Sequence, residues 1–200
     1  MNPIPLILAS ASPRRKSLLE AAGITFTIVP SGADERRHQH EDAITYAVRV
    51  ARDKALSVSH RHREALIIGA DTIVELNGAI LQKPVDPADA RRMLQALSGA
   101  THTVVTAFAI ARAGSLLEAA PVTARVTFHR LATDVIDAYI ATGEPFDKAG
   151  SYGIQGEGAK FIAAVEGSRD TVMGLPVQEL LAALRPHSPS LPFSRVLRKG

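Results

Sequence analysis

Cysteine and tryptophan are absent from this 200-residue chain, and Phe and Tyr together supply only 4% of it. Without cysteine there are no disulfide staples and no thiolate metal sites. So few aromatics leave the core to Ala, Leu, Val and Ile. They also remove the stacking platforms on which single-stranded nucleic acids lie. No apolar run approaches the ~20 residues of a membrane span. The N-terminus reads as a strand and not as a secretory signal. Only the α-amino group precedes Ile4, and the basic residues follow the apolar run instead of leading it. These exclusions point to a cytoplasmic protein without a membrane or stable nucleic-acid partner.

Apolar residues make up 46% of the chain, ample for a core, and the net charge is a mild +3. The length suits one large domain or a domain with a small lobe. Ile4 to Ala9 reads as a buried strand. Ser12 and Pro13 then open a helix that Gly23 stops. Thr25 to Val29 reads as a strand, and SGADERRHQHED as a polar loop. Ala43 to Ser59 carries Ala47, Ala51, Ala55 and Val58 along one helical stripe. Ala65 to Ala70 reads as a strand ending in Asp71. TIVELNGAILQKP reads as a hairpin turning at Asn77-Gly78. A helix follows, capped by Asp86 with Pro87 at its first position and ended by Gly99. HTVVTAFAIA and VTARVTFH read as strands joined through GSLLEAAP. ATDVIDAYIATG is a helix, Lys160 to Val165 a strand and GLPVQELLAAL a last helix. Strands alternating with helices give an α/β fold with a mixed twisted sheet. Residues 1–185 are expected to form one domain, and the Pro/Ser-rich residues 186–200 a loose tail.

The stretch SASPRRK crowds Arg14, Arg15 and Lys16 into the first turn of a helix, whose N-terminus already carries partial positive charge. Such a cluster awaits an anion. One of these cations can meet it through the helix N-terminus, while Arg15 and Lys16 are free to point to solvent. Asp71, at the expected end of a central strand, is placed to activate water or hold a metal ion. Lys54 sits at the edge of its apolar stripe, either covering core or entering a cleft. Lys83 follows the hairpin in QKP. GEPFDKAGSYGIQGEG holds five glycines, which permit tight turns and close backbone approach. Its GIQGEG follows a helix and precedes a strand, the reverse of a dinucleotide fingerprint. No P-loop motif occurs. The histidines form no zinc signature, so metal chemistry falls to Glu35, Asp71 and, less favourably, Asp147.

Taken in order, SASPRR, ADE, ARDKA, GADTIV, QKP, LSGATH, GEPFDKAGSYGIQG and GLP resemble the Maf family of nucleoside triphosphate pyrophosphatases. The resemblance runs from the first strand to the last helix. It implies an α/β fold of two lobes around a central cleft, like that of the inosine triphosphatases, and sometimes a homodimer. It implies hydrolysis of a nucleoside triphosphate to monophosphate and pyrophosphate with Mg²⁺ or Mn²⁺. By the same resemblance Asp71 is the catalytic carboxylate, and Ser10, Arg14, Lys54 and Lys83 bind phosphate. Glu35 and Asp71 are metal candidates. Arg14, Thr72 and Gln155 match the positions that govern substrate choice in the branch acting on dTTP and UTP. The branch acting on 7-methyl-GTP differs where this chain has Ile154-Gln155. One departure is GSRDTVMGLP, in which Arg169, Asp170 and Met173 are unusual.

The resemblance answers the question posed by SASPRRK. A triphosphate supplies the negative charge, and an Arg fork fits its oxygens. Gln155 offers a donor and an acceptor, which match the N3–H and carbonyls of thymine or uracil. Two alternatives stay open at this level. One is a pyrophosphatase acting mainly on modified or other nucleotides. The other is a non-catalytic, nucleotide-binding regulator of cell division, which would not require Asp71, Lys54 and Lys83 together.

Overall fold

The computed structural model describes residues 4–189. Three helices begin where short polar residues can cap them. Ser12 accepts a hydrogen bond from the Arg15 amide at the start of α1 (Pro13–Ala21). Asp42 does so from Thr45 for α2 (Ala43–Ser59), and Asp86 from Asp89 for α3 (Pro87–Leu97). Each cap satisfies an amide that the first turn leaves without a partner. The remaining helices are α4 (Thr133–Ala141), α5 (Arg169–Met173) and α6 (Val177–Leu184). Short 3₁₀ turns occupy Glu144–Asp147, Ala149–Ser151 and Glu157–Phe161.

The strands are β1 (Leu6–Leu8), β2 (Thr27–Ile28), β3 (Leu66–Leu76), β4 (Ala79–Leu81), β5 (Thr101–Arg112), β6 (Ser115–Phe128) and β7 (Ile162–Glu166). They form a mixed sheet in the order β2-β1-β3-β5-β6-β7, with β4 paired to β3. β1 runs parallel to both β2 and β3, with Ile7 opposite Thr27 and Ile67. β4 lies antiparallel to β3, and β7 to β6.

Two sequence expectations change. Asp71 does not end its strand. β3 runs on through Thr72, Ile73 and Val74, whose β-branched side chains suit a pleated sheet. GSLLEAAP is not a connection either. The turn is Ala113-Gly114, with φ of +51° and +84°, and Ser115 to Pro121 already belongs to β6. The same pair of positive φ values occurs at Asn77-Gly78, as two-residue hairpins require. Residues 185–187 continue from α6 as a turn, with the amides of His187 and Ser188 donating to Leu184 O. The rest of the expected tail, 190–200, lies outside the described residues. Among the described residues no helix is long and apolar enough to cross a membrane.

The chain divides into two compact units. The first contains the chain up to Asp71, residues 106–122 and the chain from Gly174 onward. Its buried residues are mainly aliphatic, among them Leu8, Leu19, Val50, Leu66, Ile68 and Leu180. Here α2 presses onto β3. A Cβ added at Gly69 would lie 2.1 Å from Ala51 O and 2.7 Å from Ala55 N. Gly69 and Asp71 share one face of β3, because strand side chains alternate. That face is the one toward α2.

The second unit contains residues 72–105 and 123–173. It holds most of the aromatic packing, in a cluster that includes Val74, Leu94, Phe128, Tyr139, Tyr152 and Phe161. Phe128 meets Tyr152 edge to face at 4.7 Å between ring centres, and Phe161 meets Tyr139 at 4.9 Å. The few aromatics are therefore concentrated in one core. His102 is buried among them. Its Nε2 shares a 2.7 Å hydrogen bond with the Tyr152 hydroxyl, and its Nδ1 has no partner among the described residues. Burial pushes its imidazole down to about 4.

Two stability measurements follow from these contacts. Gly69→Ala forces α2 away from β3 and lowers the unfolding free energy by about 1–3 kcal/mol. A urea midpoint equal to that of the parent would contradict this. The second concerns pH. Between pH 6.5 and about 4 the unfolded chain protonates His102 while the folded chain resists. Stability carried by neutral His102 is thus complete above pH 6.5 and declines as pH falls toward 4. His102→Gln should flatten this segment of the urea midpoint against pH. An equal slope in the variant would remove His102 as its cause.

Candidate functional site

The first turn of α1 is fixed by Arg15, not left to solvent as the sequence suggests. Its Nε donates to Gly174 O at 2.8 Å, and its Nη1 donates to Ser10 Oγ at 3.1 Å. Ser10 Oγ also accepts from the Ser12 amide at 3.2 Å. Gly174 lies at φ +118°, a conformation that L side chains rarely adopt. Burial lowers the pKa of the Arg15 guanidinium. Asp71 and Glu35 work the other way, and the neighbouring Arg14 adds to the lowering. A signal for this burial was present in the sequence. Arg15, Leu18, Leu19 and Ala22 form one helical stripe, and all four are buried. Lys16 does face solvent, 3.7 Å from Glu20. Arg14 is half-buried.

The polar loop 31–42 is held to α2 at several points. The Tyr46 hydroxyl donates to Glu35 O at 2.5 Å, Ser57 Oγ to Ser31 O at 3.2 Å, and Arg49 Nη2 to Arg36 O at 2.8 Å. Arg49 also forks onto Glu41, with Nε to Oε1 at 2.5 Å and Nη2 to Oε2 at 2.9 Å. These hydrogen bonds from Arg49 hold the Glu41 carboxyl down at about 2. Tyr46 was not among the sequence candidates. Its only signal is its place on the buried stripe with Ala43, Ala47 and Val50.

This anchoring delivers Glu35 to Lys54. The Lys54 ammonium lies 2.9 Å from Glu35 Oε2 and 2.9 Å from Asp71 Oδ1. Lys54 does not snorkel to water, since its residue is only 5% exposed. The Glu35 side chain is 52% exposed and that of Asp71 only 11%. The triad therefore opens to solvent on the Glu35 side.

Ser10, Arg15, Glu35, Lys54 and Asp71 all belong to the first unit. The second unit carries Thr72, Lys83 and Gln155. Thr72 is half-buried and, by strand alternation, faces away from Asp71. Lys83 is exposed between β4 and α3, before the buried Pro84. Gln155 is exposed on the loop ahead of the 3₁₀ turn Glu157–Phe161. Asp147, the less favoured acid, is engaged by Lys148 at 2.6 Å. Among the described residues no three His, Cys, Asp or Glu side chains cluster as a metal site would need. Glu35 and Asp71, the two metal candidates of the sequence, both face Lys54. Chemically, the first unit offers a nearly buried carboxylate and cations that can take up an anion.

The model of Maf-like proteins matches residues 5–187. A dTTP/UTP pyrophosphatase of Moorella thermoacetica is 49% identical over 181 residues, spanning 88% of this chain and 93% of the relative. One from Escherichia coli O157:H7 is 47% identical over 175 residues, 87% of this chain and 88% of that one. One from Citrifermentans bemidjiense is 46% identical over 183 residues, 90% and 94% of the two chains. A solved HAM1 protein from Coxiella burnetii aligns with a TM-score of 0.44 at 14% identity, over 64% of this chain and 74% of that one.

The Arg15 fork should be as much a stability element as a charge. Arg15→Met leaves Gly174 O without its donor and costs about 1–3 kcal/mol. Arg15→Lys keeps the charge, but its single nitrogen cannot stand where both Nε and Nη1 do, so it restores only part of the loss. Urea unfolding of the three proteins measures this. Full recovery by lysine would mean that charge alone matters.

Proposed function

The chain belongs to the Maf family, and on that premise we propose that it hydrolyses dTTP and UTP to the nucleoside monophosphate and pyrophosphate. The observation that carries this reading is 46–49% identity, over nearly nine-tenths of the chain, to relatives named dTTP/UTP pyrophosphatase. The charged cluster supplies what such a reaction requires. We place the activity in the cytoplasm, where nucleoside triphosphates are made and used.

Little covalent chemistry is asked of the protein. Cleaving a phosphoanhydride needs positioning and neutralisation of charge. Arg14 and the start of α1, with Ser10 held by Arg15, take phosphate oxygens. Lys54 is shared by two carboxylates. A triphosphate carries more charge than either, so it draws the ammonium toward itself and loosens its hold on Asp71. Asp71 then accepts the proton of the attacking water. Lys83 steadies charge on the phosphates.

The Glu35 and Asp71 pair fits a divalent cation. Two carboxylates from separate segments already face one positive group, and their hard oxygens suit Mg²⁺ or Mn²⁺. Phosphate and water would complete the shell. When bound, the ion would neutralise phosphate charge as a Lewis acid. Base choice falls to Gln155, whose amide can pair with the N3–H and carbonyls of uracil or thymine.

Pyrophosphate and orthophosphate measured separately, with hydrolysis run in ¹⁸O-labelled water, test the bond that is cut. The expected result is pyrophosphate as the primary product and label in a single product. Primary orthophosphate would overturn the reading. Asp71→Asn keeps the size and removes the base, so kcat should drop by about 10²-fold or more. Near-parental kcat with saturating Mg²⁺ would take that role from Asp71.

A further inference from the structure

We propose that Glu144 is a positioning residue for base selection, acting by fixing the loop that presents Gln155. The proposal rests on the reading of Gln155 as the residue that meets the base.

Glu144 follows Gly143, whose φ of +77° ends α4 in a left-handed turn. Its amide is held by Thr142 Oγ1 at 3.1 Å. Its carboxylate is directed at the opposite strand of the Gln155 loop. Oε2 accepts from the Glu157 amide at 3.0 Å, and Oε1 accepts from the Gly158 amide at 3.3 Å and from the Tyr139 hydroxyl at 3.0 Å. Those amides begin the 3₁₀ turn that opens two residues after Gln155. Burial works against the charge on Glu144, but the donors outweigh it and hold its pKa below the usual value.

The loop fits around this carboxylate with no slack. A Cβ at Gly156 would lie 2.7 Å from Glu144 Oε2. One at Gly158 would lie 2.8 Å from the Tyr139 hydroxyl and 3.0 Å from the backbone of Gly153. One at Gly153 would lie 2.9 Å from Lys148 Cε. Lys148 itself is tied to Glu144 O at 2.5 Å and to Asp147 Oδ1 at 2.6 Å. Gln155 thus stands exposed on a segment whose flanking backbone is gripped by Glu144, Tyr139 and Lys148. None of these bonds is made to the Gln155 side chain, so Glu144 acts on base choice only through where that amide is held.

A merely structural Glu144 and a positioning one differ in what they do to selectivity. The test measures kcat/KM on UTP, dTTP, CTP and GTP for the parent, Glu144→Gln, Glu144→Ala, Tyr139→Phe, Gln155→Ala and Glu144→Ala/Gln155→Ala, with urea midpoints beside them. Gln155→Ala should narrow the preference for UTP and dTTP by about tenfold. Glu144→Ala should narrow it by a similar factor. The double variant should narrow it no further than Gln155→Ala, because both act through one amide. Glu144→Gln and Tyr139→Phe each disturb part of the grip and should fall between. Those two decide the matter if Glu144→Ala does not fold. Narrowed selectivity in Gln155→Ala, with parental selectivity in the Glu144 and Tyr139 variants, overturns the positioning role alone. Unchanged selectivity in Gln155→Ala overturns the base-reading role, and this proposal with it.

Discussion

At Gly69 the backbone of β3 comes so close to α2 that even a methyl group would sit 2.1 Å from the carbonyl of Ala51. The chemistry of the first unit depends on that approach. Ala51 and Ala55 flank Lys54 on the helix, and Asp71 shares the strand face of Gly69. Only small residues on both sides bring the helix near enough for one ammonium to lie 2.9 Å from carboxylates on a strand and on a loop. The alanine stripe of α2 is therefore more than a core face. Larger apolar residues would bury more area but would hold Lys54 off Asp71.

The cost of this arrangement is electrostatic. Arg15, Lys54 and Asp71 are each less than a tenth exposed. Withdrawing such charges from water costs several kcal/mol apiece, and pairing them returns that only when the geometry is good. Apolar residues of similar volume would be equally stable there. What an apolar core cannot do is exchange partners. Lys54 joins two acids that bind it from separate chain segments, so an incoming polyanion would compete with them for the ammonium and leave the nearly buried Asp71 the more basic. Arg15 plays the opposite part. Both ends of its fork are bound to groups of its own chain, Ser10 Oγ and Gly174 O. It fixes the turn where phosphate would bind and does not itself have to move.

Much of this was legible in the sequence, for identifiable reasons. Helix starts were marked by Ser12, Asp42 and Asp86, whose side chains make the capping bonds. The Asn77-Gly78 turn was marked by the residues that tolerate its φ values. The strand end expected at Asp71 rests on reading an acid as a strand terminator, when the β-branched residues after it carry the strand on. The Ala113-Gly114 turn was hidden because alanine seldom adopts positive φ. Arg15 was misread because charge was weighed ahead of periodicity. Glu144 left no local sign. Its amide donors lie 13 and 14 residues downstream, in a loop whose path the sequence does not state. The motifs named candidate residues, and tertiary contacts decided which of them are held and by what.

Recognition of a triphosphate and recognition of a base place different demands on a chain. Charge acts over distance and tolerates imprecision, so cations on a helix start and a lysine shared by two acids can serve any nucleotide. An amide discriminates only if it is held where the right edge meets it and the wrong edge does not. A loop with glycines at 150, 153, 156 and 158 looks, from composition, too mobile for that task. Its glycines serve another end. At 153, 156 and 158 they admit Lys148, Glu144 and Tyr139 to distances that no side chain would allow. The flexibility a glycine brings to the unfolded chain is given up in making these contacts, since the backbone is approached from so near. On the proposed reading, selectivity in such a loop would depend on the groups that press on the backbone as well as on the one side chain that meets the base.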